Sequence, residues 1–173
     1  KLTKLKVSYK GEHREVSHFQ YLQWPDYGVP ATKDGFIRYL THIRKEREEK
    51  KEAINTPLVV HCSAGIGRTG TLILCDYNLD RIQYTQNSRE GYSFELFQTL
   101  NEMRHQRNNL IQSIDQWDYI HDVLSYIMNP NNLPNSNAIQ KLFENLKFFM
   151  TSEVAKKKLN IGDSESLGML LST

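Results

Sequence analysis

The sequence is poor in cysteine and has no long apolar segment. It contains two cysteines among 173 residues, Cys62 and Cys75, and their spacing fits neither a zinc site nor a disulfide framework. No apolar run approaches the roughly 18 residues that a membrane-spanning helix needs, and the charged start between Lys1 and Lys10 is unlike a secretory signal. These features indicate a reducing, intracellular setting, and we expect a cytoplasmic protein.

The chain also lacks a strong excess of either charge. Its formal net charge is +2 and its pI is near 8.5, which is too mild to indicate binding to nucleic acid. Hydrophobic residues make up 39% of the chain and charged residues 24%. Length and composition together indicate one globular domain with a modest core.

The most informative segment is a loop of small residues with a cysteine near its start and an arginine near its end. The loop consists of His61, Cys62, Ser63, Ala64, Gly65, Ile66, Gly67, Arg68, Thr69 and Gly70. The apolar run over residues 58–61 predicts a strand, and the apolar spacing over residues 69–82 predicts a helix. The backbone N–H groups of such a strand-to-helix turn, together with the helix dipole, favour a tetrahedral oxyanion. The sequence therefore predicts a phosphate-binding cradle.

Within this cradle, Cys62 and Arg68 have complementary chemistry. A helix N-terminus and a nearby cation lower cysteine pKa values to roughly 3.5 to 7.5, which predicts a thiolate that is ready to attack phosphorus. The planar guanidinium of Arg68 can hold two phosphate oxygens at once and follow the charge of the transition state. Cys75 lies in the apolar pattern of the following helix and is predicted to belong to the core.

Three ordered segments resemble one enzyme family. A cysteine, five residues and an arginine followed by threonine resemble the signature loop of the protein tyrosine phosphatases, in their tyrosine-specific class. Residues 24–30 and residues 112–116 are similar to two further motifs of that family. The resemblance covers residues 4–128 and implies hydrolysis of protein phosphotyrosine through a phosphocysteine intermediate, with no metal or cofactor. The implied fold is α/β, a partial phosphatase fold with a mixed sheet flanked by helices and without the N-terminal part of the domain.

The upstream motif also has a chemical interpretation of its own. Attack on a phosphate ester expels a poor leaving group unless a general acid protonates it. Asp26 is the candidate acid, because it lies between the turn formers Pro25 and Gly28, with Trp24 as an apolar anchor or hinge. A simple turn is the alternative.

The downstream motif supplies amides. A water behind the phosphocysteine needs a group that both donates and accepts, and the resemblance assigns this role to Gln112, with Gln116 assisting. Two solvated glutamines on one helix face are the alternative. The preceding residues Arg104 and Arg107 resemble family residues near the catalytic centre. Asn109 stands where these enzymes often have glycine, and a larger side chain there would narrow the approach for bulky substrates.

Two residues flanking the cradle carry further expectations. Thr69 is predicted to donate its hydroxyl to the Cys62 sulfur, to cap the helix, or to do both. Residues 63–67, with Arg68 and Thr69, are predicted to bind the phosphoryl group of the substrate, and Gln116 is predicted to be a further substrate-binding residue. His61 resembles the family residue that orders the loop, and we do not interpret it as a general base.

Periodicity predicts the remaining elements. They are strands at residues 5–9 and 15–21 joined by a turn at 10–12, and helices at 34–43, 93–104 and 115–127. The mixed charges of residues 44–52 are interpreted as a solvated helix face that is stabilised weakly by pairs three or four residues apart.

The composition changes after residue 128, where the phosphatase-like region of residues 1–128 ends. We interpret residues 129–137 as a linker, 138–159 as an amphipathic helix and 160–173 as a disordered tail. The helix, with its apolar and basic positions between Ile139 and Lys158, would pack on its own domain or, alternatively, on a partner or a membrane surface.

Other functions stay open at this stage. The chain could bind phosphotyrosyl proteins without turning them over. It could also be a fragment that is active only with an upstream region, since the family's substrate-clamping loop is not among these residues and the sequence starts with Lys1. Activity on phosphoserine and phosphothreonine is a weaker alternative.

Overall fold

A computed structural model describes most of the phosphatase-like region. The described residues are 1–50, 56–87 and 95–128. The predicted linker, amphipathic helix and tail, at residues 129–137, 138–159 and 160–173, lie outside the described residues. Across the described ranges, no helix combines the length and apolar character that crossing a bilayer requires.

The chain begins with a β-hairpin, which confirms the prediction. Strand β1 (Leu2–Tyr9) pairs antiparallel with β2 (Glu12–Phe19), with Tyr9 opposite Glu12. The two-residue loop has φ of 48° at Lys10 and 83° at Gly11, which matches the positive angles of a tight hairpin turn. Because glycine has no Cβ, it adopts such an angle without strain. The turn is one residue shorter than predicted, since Glu12 already belongs to β2, which begins and ends before the predicted residues 15 and 21.

Within the described ranges, four helices follow the hairpin. They are α1 (Lys33–Glu49), α2 (Gly67–Asn87), α3 (Leu96–Gln106) and α4 (Ile114–Met128). Each predicted helix is present, and α1 continues through most of the charged run that follows its apolar stretch. The Thr32 side chain caps α1 by accepting from the N–H of Gly35 at 3.2 Å, which satisfies one of the free donors of the first turn.

The hydrophobic core forms around α2, which packs against α3 and α4. Fully buried side chains from all four helices meet there, among them Phe36, Leu74, Met103 and Ile120. The prediction that Cys75 belongs to this core is confirmed, because its side chain is completely buried. Burial raises the pKa of the Cys75 thiol, with a smaller contribution from the nearby Asp76.

The predicted strand at residues 58–61 is wrong for the described part of the chain. These residues are extended but belong to no sheet, and the sheet formed by the described residues is the single antiparallel pair of β1 and β2. A strand needs a neighbour that supplies ladder hydrogen bonds, and apolar composition alone does not provide one. The α/β class is confirmed. Residues 58–61, which lead into the cradle, are extended chain and not a strand of a sheet.

The interpretation of residues 44–52 as a solvated face is wrong for Arg44. Its side chain is only 10% exposed and joins α1 to α2, with Nε donating to Asp76 Oδ1 and Nη1 to Asp80 Oδ1, both at 2.6 Å. Burial disfavours the charged guanidinium, but Asp76 and Asp80 outweigh it and raise the pKa of Arg44. This ion pair fixes α1 against the helix that carries the cradle.

A second polar contact holds the hairpin against α1. The Glu46 carboxylate accepts from the Lys4 ammonium and from the Ser17 hydroxyl, the latter at 2.7 Å. These hydrogen bonds, that of Lys4 first, lower the pKa of Glu46 to about 2. Farther along, the Tyr39 hydroxyl donates to the Phe19 carbonyl oxygen at 3.0 Å. The hairpin is thus held mainly by side chains of α1.

Candidate active site

The cradle lies at the N-terminal end of α2. Residues 62–66 form the turn that leads into the helix, and Gly65 has a φ of +67°, in the region that favours glycine. The Ile66 carbonyl oxygen accepts from two backbone N–H groups, Gly70 in the first turn of α2 at 2.9 Å and Ile111 in the α3–α4 loop at 3.2 Å. The loop is therefore tied to its own helix and to the segment before α4.

Cys62 is half-buried at the bottom of this turn, and its pKa is low. Burial is the largest single influence and acts to raise the pKa. The hydroxyl of Thr69 and the backbone N–H groups of Thr69, Ile66 and Gly65 together outweigh burial and lower the pKa to about 7. With such a pKa, about half of the Cys62 side chains are thiolates at neutral pH.

Thr69 lies inside the first turn of α2 and not at its cap, because the helix already begins at Gly67. Its hydroxyl oxygen is buried and makes no hydrogen bond of full geometry among the described residues, yet the same hydroxyl lowers the pKa of Cys62. A hydroxyl hydrogen rotates towards the strongest acceptor nearby, which for Thr69 is the Cys62 thiolate.

Arg68 connects the cradle to the segment that carries Asp26. Its Nη2 donates to the Ser63 Oγ at 2.8 Å, and its Nη1 donates to the Trp24 carbonyl oxygen at 3.1 Å. The same guanidinium forms an ion pair with the Asp26 carboxylate, which also accepts from Ser63 Oγ at 3.5 Å. One cation thus brings the upstream motif and the cradle together.

The Asp26 loop is anchored at one end and exposed at its tip. Trp24 is 7% exposed and packs edge-on against the core ring of Phe36, with ring centroids 5.3 Å apart. Its indole N–H donates to the Gly28 carbonyl oxygen at 3.0 Å, closing the turn. Asp26 itself is 66% exposed, so its side chain can exchange partners while the anchor stays in the core.

Gln112 and Gln116 lie against the start of α2. The buried Gln116 side chain accepts the Gln112 backbone N–H on its Oε1 at 2.9 Å, and its Nε2 has no partner among the described residues. A Cβ at Gly67 would lie 2.5 Å from the Gln112 Oε1 and 3.1 Å from the Gln116 Nε2. Both amides therefore touch the cradle, and the picture of two solvated glutamines does not fit Gln116.

The α3–α4 loop is held by arginine side chains from the end of α3. Arg104 donates to the carbonyl oxygens of Leu110 and Ile111 at 2.8 and 2.9 Å. Arg107 donates instead to carbonyl oxygens of the cradle itself. Asn109 has a φ of 63°, a conformation that asparagine adopts more readily than most residues with a side chain. The position where the family often has glycine thus keeps a glycine-like backbone.

Some features of the site were not foreseen from the sequence. The Ser113 hydroxyl donates to the Tyr27 carbonyl oxygen at 3.4 Å, linking the Asp26 loop to the glutamine motif. The ring of His61 is exposed and stacks on His18 of β2, with centroids 6.0 Å apart. No local pattern marks either contact, because the partners are separated along the chain by dozens of residues.

Comparisons with known proteins find one family. The family model described as "Protein-tyrosine phosphatase" matches residues 1–126. Rat tyrosine-protein phosphatase non-receptor type 20 is 36% identical over 118 residues, which are 68% of this chain and 25% of that protein. Human receptor-type tyrosine-protein phosphatase zeta is 44% identical over 111 residues, which are 64% of this chain and 4% of that protein.

A solved structure matches as well. It is described as the "Structural basis of PTPN18 fingerprint on distinct HER2 tyrosine phosphorylation sites" and is 35% identical in sequence, with a TM-score of 0.60. The match covers 72% of this chain and 42% of the other. The chain therefore spans less than half of the solved chain it resembles and a quarter or less of these curated relatives.

Proposed function

Because this chain belongs to the protein tyrosine phosphatase family, we propose that it hydrolyses phosphotyrosine in proteins through a phosphocysteine intermediate. One observation carries the proposal. A cysteine thiol with a pKa of about 7 lies in a loop whose arginine also contacts the candidate general acid. A reducing compartment is part of the proposal, since an oxidised thiolate cannot attack.

In the first step, the Cys62 thiolate attacks phosphorus and the bond from phosphorus to the tyrosine oxygen breaks. The cradle N–H groups and the Arg68 guanidinium bind the equatorial oxygens, whose charge they stabilise without reorganisation. Arg68 already holds a carboxylate, so its position suits a phosphate of like charge. No metal is needed for this charge stabilisation.

Asp26, in its protonated form, gives its proton to the departing phenolic oxygen in the same step and becomes a carboxylate. Its carboxyl group lies at the mouth of the cradle, on the guanidinium of Arg68 and near Ser63. A bound phosphoryl group would compete for the same donors of Arg68 and release Asp26 towards the leaving group. The exposed loop tip and buried Trp24 support such an exchange.

In the second step, water attacks the phosphocysteine and the phosphorus–sulfur bond breaks, while the Asp26 carboxylate left by the first step takes a proton from the water. Phosphate, the Cys62 thiolate and protonated Asp26 are thereby regenerated. The Gln112 side chain lies against Gly67 and can both accept from the water and donate to a phosphoryl oxygen. The side-chain oxygen of Gln116 accepts a hydrogen bond from the backbone N–H of Gln112 and so fixes the position of that residue. The Thr69 hydroxyl, directed to the sulfur, stabilises the departing thiolate.

The test is phosphate release from a phosphotyrosyl peptide by the purified chain, with Cys62→Ser as the matched variant. We expect release by the parent and none by the variant, while both bind the peptide. Binding without release by the folded parent would instead favour a phosphotyrosine-binding protein that lacks turnover.

A second candidate is a phosphatase activity that requires a further segment of the domain. It is favoured by the outward face of the hairpin, where Leu5, Val7 and Tyr9 are 41%, 49% and 70% exposed. Isolated two-stranded sheets with an uncovered apolar face are marginally stable. A folded parent that gains turnover only when the matching upstream segment of a relative is added in trans would support this candidate.

A further inference from the structure

Arg107 makes two hydrogen bonds to the cradle from outside it. The residue follows the end of α3, where its backbone N–H donates to the Met103 carbonyl oxygen at 2.9 Å. Its Nε donates to the Gly65 carbonyl oxygen at 2.7 Å, and its Nη2 donates to the Ala64 carbonyl oxygen at 3.2 Å. The guanidinium of Arg107 thus binds the carbonyl oxygens of two consecutive peptide units of the cradle.

The close approach of Arg107 to the cradle is favoured by the glycine at position 65. A Cβ at Gly65 would lie 3.0 Å from the Arg107 Nη2, tighter than nine in ten real contacts of this kind, so the guanidinium would have to shift by a few tenths of an ångström. With a φ of +67°, Gly65 turns its carbonyl oxygen towards the guanidinium. The backbone conformation and the missing side chain therefore serve the same contact.

The two peptide units that Arg107 holds also contain N–H groups that face the sulfur. In a trans peptide the C=O and the following N–H point in opposite directions, and the described residues contain no cis peptide bonds. Fixing the Ala64 oxygen outward therefore turns the Gly65 N–H inward, and fixing the Gly65 oxygen does the same for the Ile66 N–H. Both N–H groups hydrogen-bond to Cys62 and favour its thiolate.

We propose that Arg107 is a positioning residue, which acts through the peptide units of Ala64, Gly65 and Ile66 to aim two N–H donors at the Cys62 sulfur. The proposal rests on the proposed function only in treating Cys62 as the nucleophile. Arg107 touches neither the sulfur nor a phosphoryl group in this account, so its effect is on the readiness of the thiolate before substrate binds.

The experiment measures alkylation of Cys62 by iodoacetamide against pH, followed by peptide mass spectrometry and without any phosphate ligand. The chains are the parent, Arg107→Ala, Arg107→Lys and Arg104→Ala. Arg104→Ala is the matched control, because Arg104 also donates to two carbonyl oxygens from α3 but to those of Leu110 and Ile111. Labelling of the buried Cys75 reports any chain that has unfolded.

For the parent, we expect the alkylation rate of Cys62 to reach half of its maximum near pH 7. In Arg107→Ala we expect this midpoint to rise by about one pH unit, which corresponds to a tenfold fall in the ratio of thiolate to thiol at a given pH. Arg107→Lys should recover part of this rise, because an ammonium can hold one carbonyl oxygen but lacks the fork that holds two. If Arg107→Ala does not fold, the alkylation midpoint of the folded Arg107→Lys chain tests the proposal, which requires that midpoint to lie above that of the parent.

Three results would overturn the proposal. The first is a folded Arg107→Ala chain whose midpoint equals that of the parent. The second is an equal rise in Arg104→Ala, which would assign the effect to lost charge. The third is an Arg107→Lys midpoint equal to that of the parent, since charge alone would then suffice. Because no turnover is measured, these outcomes are independent of whether the chain hydrolyses phosphotyrosine.

Discussion

Replacing Gly67 with alanine should impair the second chemical step while leaving the fold intact. The new Cβ would lie 2.5 Å from the Gln112 Oε1, whereas ordinary contacts begin at about 3.4 Å. The amide of Gln112 must therefore move by about 1 Å, and a misplacement of this size costs about 100-fold in rate. Gln112 is exposed and its side chain can move cheaply.

The stability of Gly67→Ala should stay close to that of the parent. Alanine is favoured over glycine in a helix by roughly 0.5 to 1 kcal/mol, which offsets the adjustment of the glutamines. Gly70→Ala is the contrasting variant, because its Cβ would lie 2.8 Å from the Ile111 backbone nitrogen, which cannot rotate away. We expect Gly70→Ala to lose several-fold more stability than Gly67→Ala in chemical denaturation.

The assay for Gly67→Ala is rapid-quench turnover of an aryl phosphate. If water positioning by Gln112 is impaired, release of the aryl group should show a burst, and phosphocysteine should accumulate while steady-state turnover falls about 100-fold. Full turnover by a folded Gly67→Ala chain would refute the reasoning. If turnover falls but the aryl group is released without a burst, the first step is the slow one, and the water-positioning role of Gln112 would be wrong.

Other substitutions test separate parts of the account. Asp26→Asn should slow turnover of a phosphotyrosyl peptide by about 100-fold or more, and of an ester with a good leaving group far less; equal losses would contradict the general-acid role. Arg44→Ala, which leaves Asp76 without its partner, should cost about 3 kcal/mol in urea unfolding, against less than about 1 kcal/mol for the exposed Lys45→Ala. Glu46 has a pKa lowered to about 2 from its usual 4.5, so its stabilisation is present above pH 4.5 and is lost as the pH falls through 2. The stability gap to Glu46→Gln should therefore shrink over that range, and a constant gap would contradict the hairpin contact.

Local patterns in the sequence predicted the elements well. The hairpin has alternating residues and a glycine in its turn, and the helices have apolar residues at helical spacing, so neighbours along the chain determine both. The cradle was predictable for the same reason, because its cysteine, glycines and arginine are consecutive. The extended residues 58–61 were mispredicted, since a strand depends on a partner elsewhere.

Contacts between distant residues could not be predicted in this way. Arg44 looked like part of a charged helix surface, but the packing of α1 on α2 buries it against Asp76. Arg107 looked like one of several cations before the glutamine motif, and only the fold brings it to Gly65. Such pairs depend on how helices pack, which neither composition nor spacing encodes locally.

The most direct test of the account is whether a phosphoryl group becomes attached to Cys62 during turnover. The chain would be mixed with a phosphotyrosyl peptide, quenched in acid within milliseconds and mapped by mass spectrometry, with Gly67→Ala used to increase the amount of intermediate. We expect a phosphoryl group on Cys62 that decays as phosphate appears. Phosphate release with Cys62 unmodified at every time, or with the phosphoryl group on another residue, would contradict it.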